Sequence, residues 1–295
     1  IATLTDMVPL VADNRILVRL GLRQMELTKR TGLMCLLERL GLSQRPLSSQ
    51  DIAIRYAPKL NALSRMGGEL LPLDLFLEQD LSTAEAMVTQ ILECNSSRVQ
   101  LQEEGEKEAL RLLGEWQREG ADSGFTFLVS PQFHRGILGL IATKIAIITD
   151  LPTFIGFLDP EGVITGSARL PSGGEGSLVT ALETIEDQLT RFGGHEAAAG
   201  FELTQTHLPF VIDRLATYYS GLDGHQEQKT QFFDVDARIG DIDERLMTWL
   251  DRLSPFGAGF PVPLFRIVGA RINDIVKLRG DICVFDWKIF KQKRK

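Results

Sequence analysis

The sequence predicts an α/β fold in more than one body, and three observations predict it. Between Phe125 and Leu203 the hydrophobic period switches repeatedly between two and about 3.6 residues. Before this, the residues from Leu70 to Gly120 form a long charged run of helical period. After it, the loop Ser254-Pro255-Phe256-Gly257-Ala258-Gly259-Phe260-Pro261 precedes short strand-like segments. At 295 residues with 44% hydrophobic content, the chain is long enough for two domains with separate cores.

Residues 1 to 68 read as the tail of an α/β domain. Asp6 and Pro9 fall in a loop, and a helix is expected from about Asn14 to Gly21. A second helix carries Leu33, Leu36, Leu37 and Leu40 at helical spacing, with Gly41 as its stop. Ser48-Ser49-Gln50-Asp51 has the form of a helix start, whereas Tyr56 to Gly68 reads as polar and turn-rich, with Arg65 in it. The run over residues 69 to 120 is weakly amphipathic, a pattern of helices that bridge two bodies, and it sets a domain boundary near residue 120.

Within residues 121 to 222 the pattern predicts strands at Phe125 to Val129, Thr153 to Leu158, Val163 to Ala168 and Ala199 to Leu203. Helices are expected at about Arg135 to Ile148, Leu178 to Phe192 and Leu208 to Tyr219. In the Leu178 helix, Leu178, Leu182, Ile185, Leu189 and Phe192 mark one face, Ser177 caps the start and Gly193 ends it. A polar stretch from Gly221 to Thr230 leads out. Over residues 228 to 295, a strand-like segment (Phe232 to Ile239), a short helix (around Ile242 to Leu250) and strands near Leu264, Ile275 and Ile282 begin a small β-barrel with too few strands to close.

Bulk properties exclude several classes. The longest apolar stretch, Ile137 to Ile148, is interrupted by Thr143 and Lys144 and is too short to cross a bilayer. Cys35, Cys94 and Cys283 lie far apart without paired or metal-type spacing, which fits a reducing compartment such as the cytoplasm. A net charge of −7 argues against a surface that binds nucleic acid everywhere, and requires any polyanion site to be built locally. The chain begins at Ile1 with no charged-then-apolar leader, and it reads as a piece of a longer protein.

Four segments carry residues suited to chemistry. Asp6, in Thr5-Asp6-Met7-Val8-Pro9-Leu10, is either a metal-binding carboxylate or a helix cap. His134 and Arg135 precede an apolar helix whose N-terminal N–H groups favour an anion; they either reach such a ligand or lie solvated at the surface. In Gly166-Ser167-Ala168-Arg169, the guanidinium suits bidentate contact with phosphate, or else pairs with an acid such as Glu161. In Gly193-Gly194-His195-Glu196-Ala197-Ala198-Ala199-Gly200, a glycine pair, one histidine and a run of small residues leave room for a large anionic ligand; the plainer reading is a helix stop followed by an exposed histidine.

Taken in order, these segments resemble the RecJ family of single-strand-specific DNA exonucleases, in the DHH phosphoesterase superfamily, over nearly the whole chain. Thr5-Asp6-Met7-Val8-Pro9-Leu10 is similar to the last catalytic motif of the DHH domain, and Leu60-Asn61-Ala62-Leu63-Ser64-Arg65 to its closing arginine motif. The segments at His134, Ser167 and His195 are similar to the DHH-associated domain, and Pro255 to Pro261 to the start of the family's oligonucleotide-binding barrel. The resemblance implies the C-terminal part of a DHH domain (1–68), a bridging helical segment (69–120), a DHH-associated domain (121–222) and a truncated barrel (228–295).

The resemblance also implies roles. Asp6 would be a ligand of catalytic Mn²⁺ or Mg²⁺, two ions in the family, and His195 would contact the scissile phosphate. Arg65, Ser167 and Arg169 would hold a 5′-terminal phosphate, with His134, Gly193 and Gly194 also against substrate. The partners implied are single-stranded DNA, the missing N-terminal half of the DHH domain, and repair proteins; no membrane is implied. The family's upstream Asp-x-Asp and Asp-His-His motifs are absent, so this polypeptide alone is expected to lack nuclease activity. Leu170 also follows Arg169 where the family has serine. The alternatives are a non-catalytic single-stranded-DNA-binding module and a DHH phosphoesterase acting on short oligonucleotides.

Overall fold

The computed structural model describes residues 1–118, 124–174, 176–222, 232–268, 271–277 and 283–288. These divide into two compact units, one of residues 1–28, 42–57 and 232 onward, the other of residues 29–41 and 58–222. Among the described residues no helix is long and apolar enough to cross a membrane.

The chain opens with α1 (Ala2–Thr5), α2 (Ala12–Glu26) and α3 (Thr31–Arg39), the last ending ahead of Gly41 at φ 63°. Ser48 and Asp51 start the next helical stretch reciprocally. The Asp51 N–H donates to Ser48 Oγ (3.1 Å) and the Ser48 N–H donates to the Asp51 carboxylate (3.0 Å). After a π-helical turn over Asp51–Tyr56 comes α4 (Ala57–Met66). The expectation of turns over Tyr56 to Gly68 is therefore corrected. Leu60, Ala62 and Leu63 are buried while Asn61 and Ser64 are exposed, so the polar residues that suggested a loop are the outer face of a helix.

Next come α5 (Pro72–Leu77) and α6 (Leu81–Arg118). The 38 residues of α6 carry two buried stripes, Ala84, Val88 and Ile91, then Gly105, Ala109 and Leu113, each at helical spacing. The first half of α6 packs with α3; Ala109 and Leu113 join the core beneath the central sheet. Full burial of each large aliphatic side chain contributes about 2 kcal/mol, so both ends of α6 are firmly held. It lies in one compact unit with the sheet.

The sheet uses β1 (Thr126–Ser130), β2 (Thr153–Leu158), β3 (Val163–Arg169), β4 (Arg191–His195) and β5 (Ala198–Thr204), in the order β1-β2-β3-β5-β4. Only the β1–β2 pair is parallel, and α7 (Leu138–Thr149), preceded by a 3₁₀ turn over Arg135–Ile137, makes that crossover. One face carries Leu128, Ile155 and the apolar side of α7. The other carries Phe127, Phe154, Phe201 and Leu203 against α8 (Leu178–Glu183) and α9 (Leu208–Ser220). The Phe127 and Phe154 rings stack at 5.5 Å.

The helix expected over Leu178 to Phe192 is real only in its first half. Ser177 caps it as anticipated, accepting from the Thr180 N–H at 3.3 Å, but after Glu183 the chain makes a 3₁₀ turn (Glu186–Gln188) and then β4. Phe192 pairs with Phe201, and Gly193 and Gly194, poor helix formers, pair with Gly200 and Ala199. Leu178, Leu182 and Ile185 are buried in the same core that Leu189 and Phe192 flank, so an apolar series of helical period is satisfied by helix and then strand.

In the remaining unit, β6 (Val235–Ala237) pairs in parallel with β7 (Phe265–Ile267), and β8 (Arg271–Lys277) forms an antiparallel ladder with β9 (Cys283–Lys288). Between β6 and β7 lies α10 (Glu244–Leu253), capped by the Asp243 carboxylate on the Leu246 N–H at 2.8 Å. The strand expected over Phe232 to Ile239 contracts to these three residues; Ile282 and most of the polar stretch to Thr230 lie outside the described residues. Among the described residues the strands do not close a barrel.

The Pro255–Pro261 segment is clasped by the start of the same unit. The Leu10 N–H donates to the Ala258 carbonyl (2.6 Å) and Ser49 Oγ to the Phe256 carbonyl (2.6 Å). Arg15 lies 3.8 Å above the Phe260 ring and donates to the carbonyls of Pro255 (3.3 Å) and Leu253.

Candidate phosphate-binding site

Two features of β3 set the site. Strand alternation sends Ala168 into the core and leaves Ser167 and Arg169 on the α7 side, and the first turn of α7 contains a glycine where they lie. A Cβ at Gly139 would stand 2.6 Å from Arg169 Nη2 and 3.4 Å from Ser167 Oγ. Arg169 Nη1 donates to Ser167 Oγ (2.9 Å) and to the Ala168 carbonyl (2.7 Å). It is thus occupied by local neutral acceptors, not by Glu161. Burial first, and then the charge of Arg65, pull its guanidinium below the ordinary arginine range.

Arg65 arrives from the last turn of α4 and donates to the Gly136 carbonyl at 3.2 Å. Gly136 must lack a side chain, because a Cβ there would be 1.9 Å from the Arg65 carbonyl oxygen. The structure adds Arg98, on α6, which feels the charge of Arg65 as Arg169 does. Arg98 was not singled out in the sequence. In a charged helix it looks like any solvated arginine, and only Asn95 and Gln102, one turn to either side, hint that it is held.

His134 caps the turn before α7: its Nδ1 accepts from the Gly136 N–H at 3.1 Å, a bond that needs Nδ1 unprotonated. Arg135 turns away, bridging to Asp159 at 3.1 Å with 57% of its side chain exposed. The plainer reading thus holds for Arg135.

His195 does not follow a helix stop. It ends β4, exposed, ahead of the two-residue turn Glu196-Ala197. That turn is pinned: the Leu170 N–H donates to the Ala197 carbonyl (3.1 Å) and the Leu178 N–H to the Glu196 carbonyl (2.9 Å). Directly opposed residues of antiparallel strands share a face. The registers therefore place Arg169, Ala198 and His195 in one row across the sheet, and Ser167, Gly200 and Gly193 in the next. Arg169 and His195 are two strand spacings apart, about 10 Å between backbones. Between them the sheet surface is bare: nothing lies within 4 Å of a Cβ placed at Gly193.

Asp6 lies in the other unit, exposed, just after α1, where it accepts from the Thr5 hydroxyl at 3.3 Å. Among the described residues no group of three or more His, Cys, Asp or Glu side chains stands together as a metal site.

Residues 233–293 match the RecJ OB domain model. Over 270 residues, 92% of this chain, it is 30% identical to the single-stranded-DNA-specific exonuclease RecJ of Thermus thermophilus, and over 280 residues 28% identical to that of Bacillus subtilis. It spans 38% and 35% of those relatives. The crystal structure of Thermus thermophilus RecJ in complex with Mn²⁺ matches with a TM-score of 0.79 at 28% identity, covering 99% of this chain and 43% of that one; the Mg²⁺ complex matches at 0.77. By sequence and fold the chain is similar to RecJ proteins over nearly all of its own length, matching less than half the length of these relatives.

Proposed function

We propose that this chain is the substrate-gripping part of a RecJ-like exonuclease that degrades single-stranded DNA from the 5′ end. The observation that supports this most is the convergence of Arg65 and Arg169, with Ser167, at the glycine-bearing start of α7. Helix N-termini and guanidinium forks both favour phosphate, and here they meet. A terminal phosphate held at Arg65, Ser167 and Arg169 leaves the next phosphodiester to run over the bare Gly193–Gly200 surface toward His195. His195 is assigned to that scissile phosphate, with Gly193 and Gly194 beneath it and His134 shaping the α7 turn.

In this reading residues 1–68 are the C-terminal part of a DHH domain, 69–120 a bridging helical segment, 121–222 the DHH-associated domain and 228–295 the truncated start of an oligonucleotide-binding barrel. The free thiols Cys35 and Cys94 suit a cytoplasmic enzyme.

Thermus thermophilus RecJ has been solved with Mn²⁺ and with Mg²⁺, and the family resemblance implies a pair of such ions. The residues present here do not fit that pair. Each ion takes several oxygen or nitrogen ligands, and Asp6 offers one exposed carboxylate. We therefore assign this chain binding and orientation of DNA, and the remaining metal ligands to residues outside it. With Mn²⁺ and 3′-labelled, 5′-phosphorylated single-stranded DNA, the chain alone should bind the DNA and release no nucleotides. Metal-dependent release by the purified chain would overturn the assignment, and so would failure to bind.

A further inference from the structure

α6 is packed more deeply at its two ends than in the middle. Between its two buried stripes, residues 92–104 contain no fully buried position, and Arg98 sits in that interval. Two contacts fix where the interval lies. Cys94 Sγ donates to the Ala62 carbonyl of α4 (3.5 Å), one turn before Arg65. At the other end Gly105 lies against α7, where a Cβ would be 2.6 Å from Ile141 Cδ1 and 3.2 Å from Ile137 Cδ1, beside Gly136 and Gly139. Arg98 is thus bracketed by the helix that presents Arg65 and the turn that receives it.

Its guanidinium is held by neutral acceptors of its own helix, Gln102 Oε1 (2.6 Å) and Asn95 Oδ1 (2.8 Å). These fix its direction without cancelling its charge. Burial, then the charge of Arg65, hold it below the ordinary arginine range, as for Arg169. Among the described residues no ion pair joins Arg65, Arg98 or Arg169 to a carboxylate. Three uncompensated guanidiniums call for more than one negative charge. An internal phosphodiester brings one; a terminal phosphomonoester brings about −1.5 to −2 and three strong acceptor oxygens.

We propose that Arg98 is the residue that makes this site select a terminal phosphate monoester over a hydroxyl end or an internal diester. The proposal rests on the site reading above. Its test uses the intact chain and a 3′-fluorescent single-stranded oligonucleotide carrying either a 5′-phosphate or a 5′-hydroxyl, with the ratio of the two affinities as the readout. Arg98→Gln should lower that ratio about tenfold, since one charge-assisted fork is lost. Its melting temperature without DNA should be unchanged or higher, because a like-charged neighbour of Arg65 is removed. If Arg98→Gln instead melts lower, Arg98→Lys carries the test: it keeps charge and stem but not the fork, and the ratio should fall about threefold. An unchanged ratio, or equal losses for both oligonucleotides, overturns the role of Arg98 alone. A wild-type chain indifferent to the 5′-phosphate overturns the site reading and this proposal with it.

Discussion

Gly193 and Gly194 are adjacent, yet they are glycine for different reasons. Gly194 has φ 150°, and a Cβ there would stand 2.4 Å from the Ala198 carbonyl oxygen and 2.5 Å from Ala199 Cα, so the β4–β5 hairpin itself forbids a side chain. Gly193 meets nothing within 4 Å and has no such backbone constraint. Gly194→Ala should therefore cost about 2 kcal/mol or more, whereas Gly193→Ala should stay within about 0.5 kcal/mol of wild type, as read from urea midpoints. Equal losses would refute the distinction. Any loss of DNA affinity in Gly193→Ala then reports on the bare surface beside His195 rather than on the fold. The sequence marks Gly193-Gly194-His195 as a place for a large ligand, and in the structure the segment is a β-strand with open space at Gly193. What single residues do not disclose is the partner across the sheet: Arg169 and His195 share a row only because β5 intervenes, a pairing of long separation that no local spacing encodes.

At the scale of elements, periodicity was a good guide where one period fits one partner. The helices at Thr31–Arg39 and Leu208–Ser220 and the strand at Thr153–Leu158 follow their apolar spacing. It misleads over Leu178 to Phe192, where the same apolar series serves two elements in turn, and over Tyr56 to Gly68, where Asn61 and Ser64 are one face of a helix. The Ser48–Asp51 start was legible, and its chemistry gives a pH dependence. Burial alone would raise the Asp51 carboxyl, but the Arg45 guanidinium (3.1 Å) and the Ser48 N–H and hydroxyl overcome this and hold it at about 2. Because the folded value lies below the unfolded one of about 3.9, the pair stabilises fully above pH ~4 and the contribution is lost as pH falls from 4 to 2. Nearly two units correspond to about 2 kcal/mol, and the carboxylate is only 10% exposed. Asp51→Asn should thus lower the urea midpoint at pH 6 and leave it nearly unchanged at pH 2; a gap of equal size at both would show that packing, not charge, is at stake.

Over the whole molecule, charge sets how the proposed DNA contact must behave. The chain carries −7 overall, so its long-range field repels a polyanion, and attraction has to come from the few cations collected at the start of α7. Composition shows this much: it denies a general nucleic-acid surface and leaves room for a local one. It does not show that Arg65 and Arg169 come to one turn, Gly136 to Gly139, because α4 and β3 are joined by tertiary packing alone. The salt response follows from the count. Each phosphate neutralised on a single strand contributes about −0.7 to the slope of log affinity against log salt, so the three phosphates of a 5′-phosphorylated trinucleotide lying over the site should give a slope no steeper than about −2. Binding measured by fluorescence anisotropy between about 50 and 200 mM salt tests this. A slope steeper than about −5 would require a basic surface that the composition denies, and a flat response would mean that phosphate is not what these guanidiniums hold.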